Sequence, residues 1–199
     1  MTQETFGFIG LGLIGGSLAK ALKRSNPSCR IMAYSRTSAT TDRAISEHAI
    51  DICCTSVSDP QFAACDCIFL CAPVDTNISA LRILKDIVPP DCILTDVGSV
   101  KTDIHRAAQE MGLNGRFIGG HPMTGSEKSG FAHAQAHLFE NSYYIITPSA
   151  GTVPEKIDWY KKMVTGFGAL PIVLNCEQHD YATAAISHLP HLIAAALVN

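Results

Sequence analysis

The sequence has no run of the ~18–20 consecutive apolar residues that a bilayer-crossing helix needs, so no membrane partner is expected. No basic segment precedes an apolar stretch at its start, which goes straight into Thr5-Phe6-Gly7-Phe8-Ile9, and no secretory signal is expected. It has no basic stripe. With 15 Lys and Arg against 18 Asp and Glu, a net charge of −3, nucleic acid is not an expected partner. That balance does not favour an anionic ligand either, so any site for one must concentrate positive potential locally. Eight cysteines are present but no C-x-x-C pair, which argues against a zinc knuckle and a dithiol redox motif. Several sit inside apolar runs such as Cys67-Ile68-Phe69-Leu70-Cys71, where they read as small buried hydrophobes of a reducing, cytoplasmic setting. There is no internal repeat and no low-complexity segment.

What is present is a globular composition, 47% apolar and 17% charged. A chain of 199 residues suits one domain, or one domain and the start of another. Short apolar runs at Thr5–Ile9, Arg30–Tyr34, Cys67–Leu70, Ile93–Asp96, Phe117–Gly119, Tyr143–Thr147 and Leu170–Leu174 read as strands. Helical patterns lie between them at Leu13–Ser25, Ala39–His48, Asn77–Val88, Thr102–Met111 and Pro154–Gly166, with Pro154 suited to a first turn. The alternation predicts an α/β fold with a doubly wound parallel sheet. After Asn175 the pattern turns helical and alanine-rich, and it ends in the apolar run Leu192–Val198 with no C-cap or turn. Residues 1–175 are therefore expected to form one domain. Residues 176–199 are expected to be the truncated start of an all-helical second one.

Gly10-Leu11-Gly12-Leu13-Ile14-Gly15 is G-x-G-x-x-G, placed between the first strand and the first helix of a βαβ unit. In that context Gly10 permits the tight turn, Gly12 lets the backbone approach a pyrophosphate, and Gly15 lets helix and strand pack closely. Amides at the helix N-terminus then face the phosphates. A purely structural glycine turn is the competing reading. The end of the second strand, Ala33-Tyr34-Ser35-Arg36-Thr37, lacks the carboxylate that binds the ribose of NAD. Ser35 and Arg36 favour the 2′-phosphate of NADP. Otherwise Arg36 is a solvated surface residue.

Three further stretches stand out: Asp96-Val97-Gly98-Ser99-Val100-Lys101, Gly119-Gly120-His121-Pro122-Met123-Thr124-Gly125-Ser126-Glu127-Lys128-Ser129-Gly130, and Ser187-His188-Leu189-Pro190-His191. The first two follow strands, where open α/β sheets bind ligands. The second carries so many glycines and hydroxyls that it is not expected in the core. In a continuous helix Ser187 and His191 share a face, although Pro190 should distort it. Any one of these histidines can be merely structural. A histidine at a strand end beside a dinucleotide fingerprint is also a natural acceptor for a hydroxyl proton during hydride transfer. His133 and His137 stand i, i+4 with no third ligand, which reads as a solvated helix face. No metal site is expected.

These motifs, in this order, resemble those of the prephenate and arogenate dehydrogenases over essentially the whole chain. The glycine fingerprint is shared with many oxidoreductases; DVGSVK and GGHPMTGSEKSG are the specific ones. The resemblance implies a Rossmann-type NAD(P)-binding domain and oxidative decarboxylation of prephenate. It implies that His121 accepts the hydrogen bond and proton of the substrate's ring hydroxyl. Ser99 would hold that hydroxyl against the nicotinamide region, and Glu127 would belong to a gating polar network. Ser126, Ser187 and His191 would help bind substrate. Gly98, Cys71-Ala72-Pro73 and Thr76 would line the cofactor site. The family often has Asp where Ser35 stands, and an arginine expected farther along the helical domain has no counterpart here. A homodimer is implied when that domain is complete. Rival readings are arogenate as substrate, a β-hydroxyacid dehydrogenase or pyrroline carboxylate reductase, and a non-catalytic NAD(P)-binding module.

Overall fold

The structure is a computed structural model that describes residues 3–198, without the side chains of His188 and His191. Five parallel strands, β1 (Thr5–Ile9), β2 (Arg30–Tyr34), β3 (Ile52–Cys53), β4 (Cys67–Leu70) and β5 (Ile93–Asp96), pair in the order β3-β2-β1-β4-β5. β6 (Ile118–Pro122) continues beside β5 through a parallel bridge between Leu94 and Phe117. β7 (Tyr143–Pro148) runs antiparallel to β6, and β8 (Leu170–Val173) is parallel to β7. The expected doubly wound parallel sheet is thus present, with an antiparallel extension that the strand pattern did not foretell.

β1 and β4 are predominantly apolar because both faces of the parallel sheet are covered, whereas β8 at the far edge is largely exposed. Phe6, Phe8, Cys67 and Phe69 point to one face, which α1 (Leu13–Ser25) and α5 (Pro154–Gly166) cover with Leu18, Leu22, Tyr160 and Val164. Ile9, Ile68, Leu70 and Leu94 point to the other, under α3 (Val74–Leu84) and α4 (Thr102–Glu110). The remaining sheet-flanking helix is α2 (Ser38–Ser46). Phe69 is the centre of the first face. Its ring stacks on Phe8 at 5.0 Å and lies 6.4 Å from Phe6 and Tyr160. The Tyr160 hydroxyl is satisfied inside the core by the Thr95 hydroxyl at 2.8 Å and that of Tyr144 at 3.0 Å.

Most of the cysteines fill this interior. All eight are free thiols, with Cys29, Cys54, Cys65, Cys67 and Cys92 buried and Cys53 exposed. Burial pushes the thiols up, Cys29 to about 11 and Cys54 and Cys92 to about 12.

Two local readings of the sequence are corrected. α3 starts at Val74, directly behind Pro73, because buried Asn77 turns inward. Its side chain accepts from the Ala72 N–H at 3.1 Å and donates to the Leu70 carbonyl at 3.2 Å, stitching strand to helix. His133 and His137 are exposed as expected but share no helix: His133 ends a single 3₁₀ turn, Phe131–His133, and His137 lies in a following turn.

Beyond β8, Asn175 opens α6 (Cys176–Thr183) with a reciprocal capping box to Gln178. The helix continues through a π-helical stretch, Ala184–His188, into α7 (Leu189–Val198). Pro190 explains the widening, since it has no N–H for the fourth carbonyl back and its ring crowds that carbonyl. The 23-residue helix Cys176–Val198 is long and apolar enough to cross a bilayer, contrary to the count of consecutive apolar residues. That count stopped at each polar residue, whereas the criterion is average apolarity over a continuous helix. One such helix is weak evidence for a membrane, and its first half is fastened to the α/β fold by polar contacts. Asp180 accepts from the backbone N–H groups of Lys101 and Thr102, both at 2.8 Å, and from the Thr102 hydroxyl at 2.5 Å. It thereby caps α4, whose own N-cap residue, Lys101, makes no side-chain cap.

Two expectations follow. Phe69→Ala should lower the unfolding free energy by ~3–5 kcal/mol, read from urea denaturation. The second concerns acid. Burial opposes ionisation of Asp180, but the hydrogen bonds from Thr102, His179 and the Lys101 amide outweigh it and hold its pKa down at about 2. A depressed carboxylate stabilises the fold above its unfolded pKa, ~3.9, and that contribution fades as pH falls toward the folded value. Asp180→Asn should therefore be less stable than the parent at pH 7, and the gap should close between about pH 4 and pH 2. A gap that persists at the acid end would show that the carboxylate charge is not what caps α4.

Candidate active site

Parallel pairing brings the carboxyl ends of β1, β2, β4 and β5 to one edge of the sheet, with that of β6 beside them. Gly10 leaves β1 at φ +97°, a left-handed conformation that disfavours any side chain, and its N–H donates to the Tyr34 carbonyl at 2.8 Å. A Cβ on Gly15 would stand 2.5 Å from the Gly10 carbonyl, so α1 can lie this close to β1 only with glycine there. A Cβ on Gly12 would meet nothing within 4 Å. The reach above Gly12 is open, as the approach of a diphosphate to this backbone requires. No side chain caps the N-terminus of α1 at Gly12. Its amides and helix dipole are available to an anion.

A cavity of about 340 Å³ continues from this turn. Gly10, Leu11, Gly12, Ser35, Arg36, Cys71, Ala72, Pro73 and Thr76 all line it, together with Val57. The lining joins the fingerprint, the end of β2 and the loop after β4. Leu13 and Ile14 form the first turn of α1 and are half-buried beside it. Ser35 is half-buried and Arg36 exposed at the rim. These residues fit a dinucleotide: an open glycine turn, an uncapped helix start, and a cationic side chain where the second strand ends.

The loop after β5 is closed from beneath by an ion pair. Lys101 Nζ lies 2.5 Å from Asp96 Oδ2, both side chains fully buried, and the same oxygen accepts from the Gly98 N–H at 2.9 Å. The other carboxylate oxygen, Asp96 Oδ1, is buried without a hydrogen-bond partner among the described residues, so the pair fixes geometry more than it adds stability. It bends the segment so that Gly98 is half-buried and Ser99 is exposed at the strand-end edge. The DVGSVK stretch thus has two layers, a structural floor of Asp96 and Lys101 and an accessible rim of Ser99.

His121 stands at the penultimate position of β6. The preceding glycines are buried, unlike the expectation for this stretch. A Cβ on Gly119 would stand 2.3 Å from the Thr147 hydroxyl, and one on Gly120 2.6 Å from that of Tyr144. They are small so that β7 can approach. His121 is half-buried, and its Nδ1 is 2.8 Å from Nε2 of His179 on α6. His179 is fully buried, and its Nδ1 is 2.7 Å from Asp180 Oδ1. Ser126 and Glu127 lie on the exposed loop after β6, where the Ser126 hydroxyl donates to the Glu127 carboxylate at 3.4 Å. Ser187 is exposed on the π-helical stretch. The relation of Ser187 to His191 crosses the π-to-α junction, and the His191 side chain lies outside the described residues. Among the described residues no group of acidic, His or Cys side chains has metal-site geometry.

The sequence reading missed His179, Asp180 and the Asp96–Lys101 pair. The last was legible as two opposite charges ending one apolar motif. His179-Asp180, in contrast, looks like ordinary first-turn polarity, and nothing in the sequence places it against a residue 58 positions away.

Comparison with known proteins agrees with the fold. The chain matches the family described as prephenate dehydrogenase, nucleotide-binding domain, over residues 18–173, and prephenate dehydrogenase, dimerization domain, over residues 175–199. It is 36% identical to the prephenate dehydrogenase of Bacillus subtilis, a match that covers 99% of this chain and 53% of that protein. The crystal structure of prephenate dehydrogenase from A. aeolicus, in complex with hydroxyphenyl propionate and NAD+, is similar at a TM-score of 0.92 and 33% identity, covering 100% of this chain and 69% of that one. Arogenate dehydrogenase of Synechocystis gives 0.90 and 34%, covering 98% and 68%. The chain spans about half the length of the curated relatives it matches. With its fold and the greater part of its length matched in this way, the chain belongs to the prephenate dehydrogenase family.

Proposed function

We propose that the protein serves the oxidative decarboxylation of prephenate: prephenate and NAD(P)+ give 4-hydroxyphenylpyruvate, CO2 and NAD(P)H. The observation that carries this reading is His121 at the carboxyl end of β6, on the same sheet edge as the glycine turn and the Ser99 loop. The nicotinamide cofactor, when bound, supplies the hydride acceptor. His121 draws on the ring-hydroxyl proton as hydride leaves the same carbon. The carboxylate then departs as CO2, its bonding electrons enter the ring, and the proton returns to the phenol oxygen. Ser99 orients the hydroxyl, and Ser126 and Glu127 contribute the polar wall of the pocket. Ser187 and His191, both on the helical segment, are assigned to substrate binding. The A. aeolicus protein solved with NAD+ and hydroxyphenyl propionate supports both the cofactor class and a phenolic ligand.

We assign residues 1–175 to the cofactor-binding domain and residues 176–199 to a helical region through which two copies associate. The strong exposure of Leu192, Leu197 and Val198 supports such a surface, as does the family description of this segment. Eight free thiols fit a cytoplasmic setting. Arogenate is the alternative substrate, on the similarity to the Synechocystis enzyme.

The deciding experiment is steady-state NAD(P)H formation with prephenate and with arogenate, using a protein of the family's whole length. His121→Asn should lower kcat ~10²–10⁴-fold, the usual cost of losing a general base, with cofactor affinity little changed. Near-normal turnover would sink the assignment. NADP is expected to bind more tightly than NAD, because Ser35 and Arg36 stand where a ribose-binding carboxylate belongs. Arg36→Ala should weaken NADP by roughly 10–100-fold, the worth of ~1.5–3 kcal/mol for a charged hydrogen bond, and leave NAD unchanged in a fluorescence titration. Equal losses for both would show that Arg36 does not read the 2′-phosphate.

A further inference from the structure

We propose that His179 is a positioning residue that fixes the tautomer of His121, so that the basic nitrogen of His121 is Nε2. The inference deepens the reading of His121 as proton acceptor and rests on it for its functional meaning. The tautomer itself follows from the hydrogen-bond geometry with Asp180 ionised and the buried His179 neutral.

The series of hydrogen bonds begins at Asp180. This carboxylate accepts from three donors at the start of α4, the amides of Lys101 and Thr102 and the Thr102 hydroxyl. So held, it is ionised at neutral pH and can only accept. The contact of 2.7 Å between its Oδ1 and His179 Nδ1 therefore requires that Nδ1 carry the proton and donate. A neutral imidazole protonated at Nδ1 has its lone pair on Nε2. His179 is held neutral by its surroundings. Its ring is fully buried. Burial pushes its pKa below the usual histidine value, and the nearby Lys101 charge adds to this against the pull of Asp180 and Asp96. Its Nε2 must then accept the 2.8 Å hydrogen bond from His121 Nδ1, because two lone pairs cannot face each other at that distance. The Thr183 hydroxyl, 3.5 Å from the same Nε2, can add a second, weaker donor. His121 is thereby protonated at Nδ1, and its lone pair sits on Nε2. Three side chains in series, Asp180, His179 and His121, pass one direction of hydrogen bonding from the α4 N-terminus to the end of β6.

Such an arrangement is what a general base needs. The ring nitrogen that makes the orienting bond is committed as a donor, and the other is the acceptor. Where the orienting partner of a catalytic histidine is replaced so that the wrong tautomer forms, the loss can reach ~10⁴-fold in kcat, as in the serine-protease triad. His179 differs from that triad's carboxylate in being neutral. It directs the proton without adding a charge beside His121, while Asp180 keeps its charge one ring away.

The test is ¹⁵N NMR of the 199-residue protein labelled at histidine nitrogens, recorded near pH 8, with the His121 signals assigned by their absence in His121→Asn. The unsubstituted protein alone decides the first point: His121 should show a protonated Nδ1 and a lone-pair Nε2. A protonated Nε2 there would overturn the proposal, whatever the variants do. His179→Leu removes the acceptor, and His121 should lose its Nδ1-protonated signature and shift toward the Nε2-protonated form. His179→Gln offers an amide oxygen in place of the ring nitrogen and should restore the original signature. An unchanged His121 tautomer in His179→Leu would refute the assignment of His179 as its cause. None of these readings depends on turnover. If the tautomer is as described but His121→Asn turns prephenate over normally, the catalytic reading fails and the positioning contact stands. If the tautomer is wrong, the contact fails by itself.

Discussion

Parallel strand pairing is the constraint from which the rest follows. It delivers each strand's carboxyl terminus to the same edge, so chemistry encoded far apart in the chain converges without any loop having to reach across the molecule. Gly10, Cys71, Ser99 and His121 each follow or end a different strand and share one rim. The antiparallel β7 does not share it, and its contribution is made from the side, by Tyr144 and Thr147 packing against the glycines of β6. Once β6 is pinned this way, His121 has a fixed backbone, and only its ring orientation remains to be determined.

That orientation is supplied from outside the sheet. α6 presents His179 and Asp180 as neighbours in sequence, one turned to His121 and the other to the start of α4. The two contacts reinforce each other: capping α4 positions Asp180, and Asp180 positions His179. The floor beneath Ser99 is organised in the same manner, with a buried charge pair setting a loop whose exposed residues face the site. In both places the residues on view are supported by less conspicuous polar groups one layer down.

The sequence was most informative where physics is most local. β1, β2, β4 and β5 fall where their apolar runs predicted, since a strand covered on both faces is predominantly apolar. The glycine turn was readable for a similar reason: backbone geometry there tolerates nothing larger. Legibility fell off where a partner distant in sequence decides the outcome. β3 is two residues long and exists only because β2 offers it an edge. The direction of β7 depends on which edge was left open. Asn77 draws the start of α3 forward by bonding back to β4, a preference invisible to helical periodicity. His179 has no distinguishing neighbours in the chain and acquires its meaning only through contact with His121. The glycines before His121 gave a misleading signal: they read as loop, yet they are core residues that are small for the sake of an adjoining strand.

The cysteine content has a consequence of its own. A thiol attacks electrophiles and oxidants as its anion. For Cys54, with a pKa near 12, the anion fraction at pH 7 is on the order of 10⁻⁵. The same burial applies to the thiols beneath the sheet, and Cys71, though it borders the cofactor cleft, is pushed higher still. A protein with one cysteine in every few dozen residues would ordinarily be vulnerable to peroxide and to disulfide scrambling. Here the interior keeps the buried sulfurs protonated and out of reach, leaving Cys53 exposed and Cys176 half-buried. Sulfur serves this fold as a compact apolar filler, largely insulated from the redox state of its surroundings.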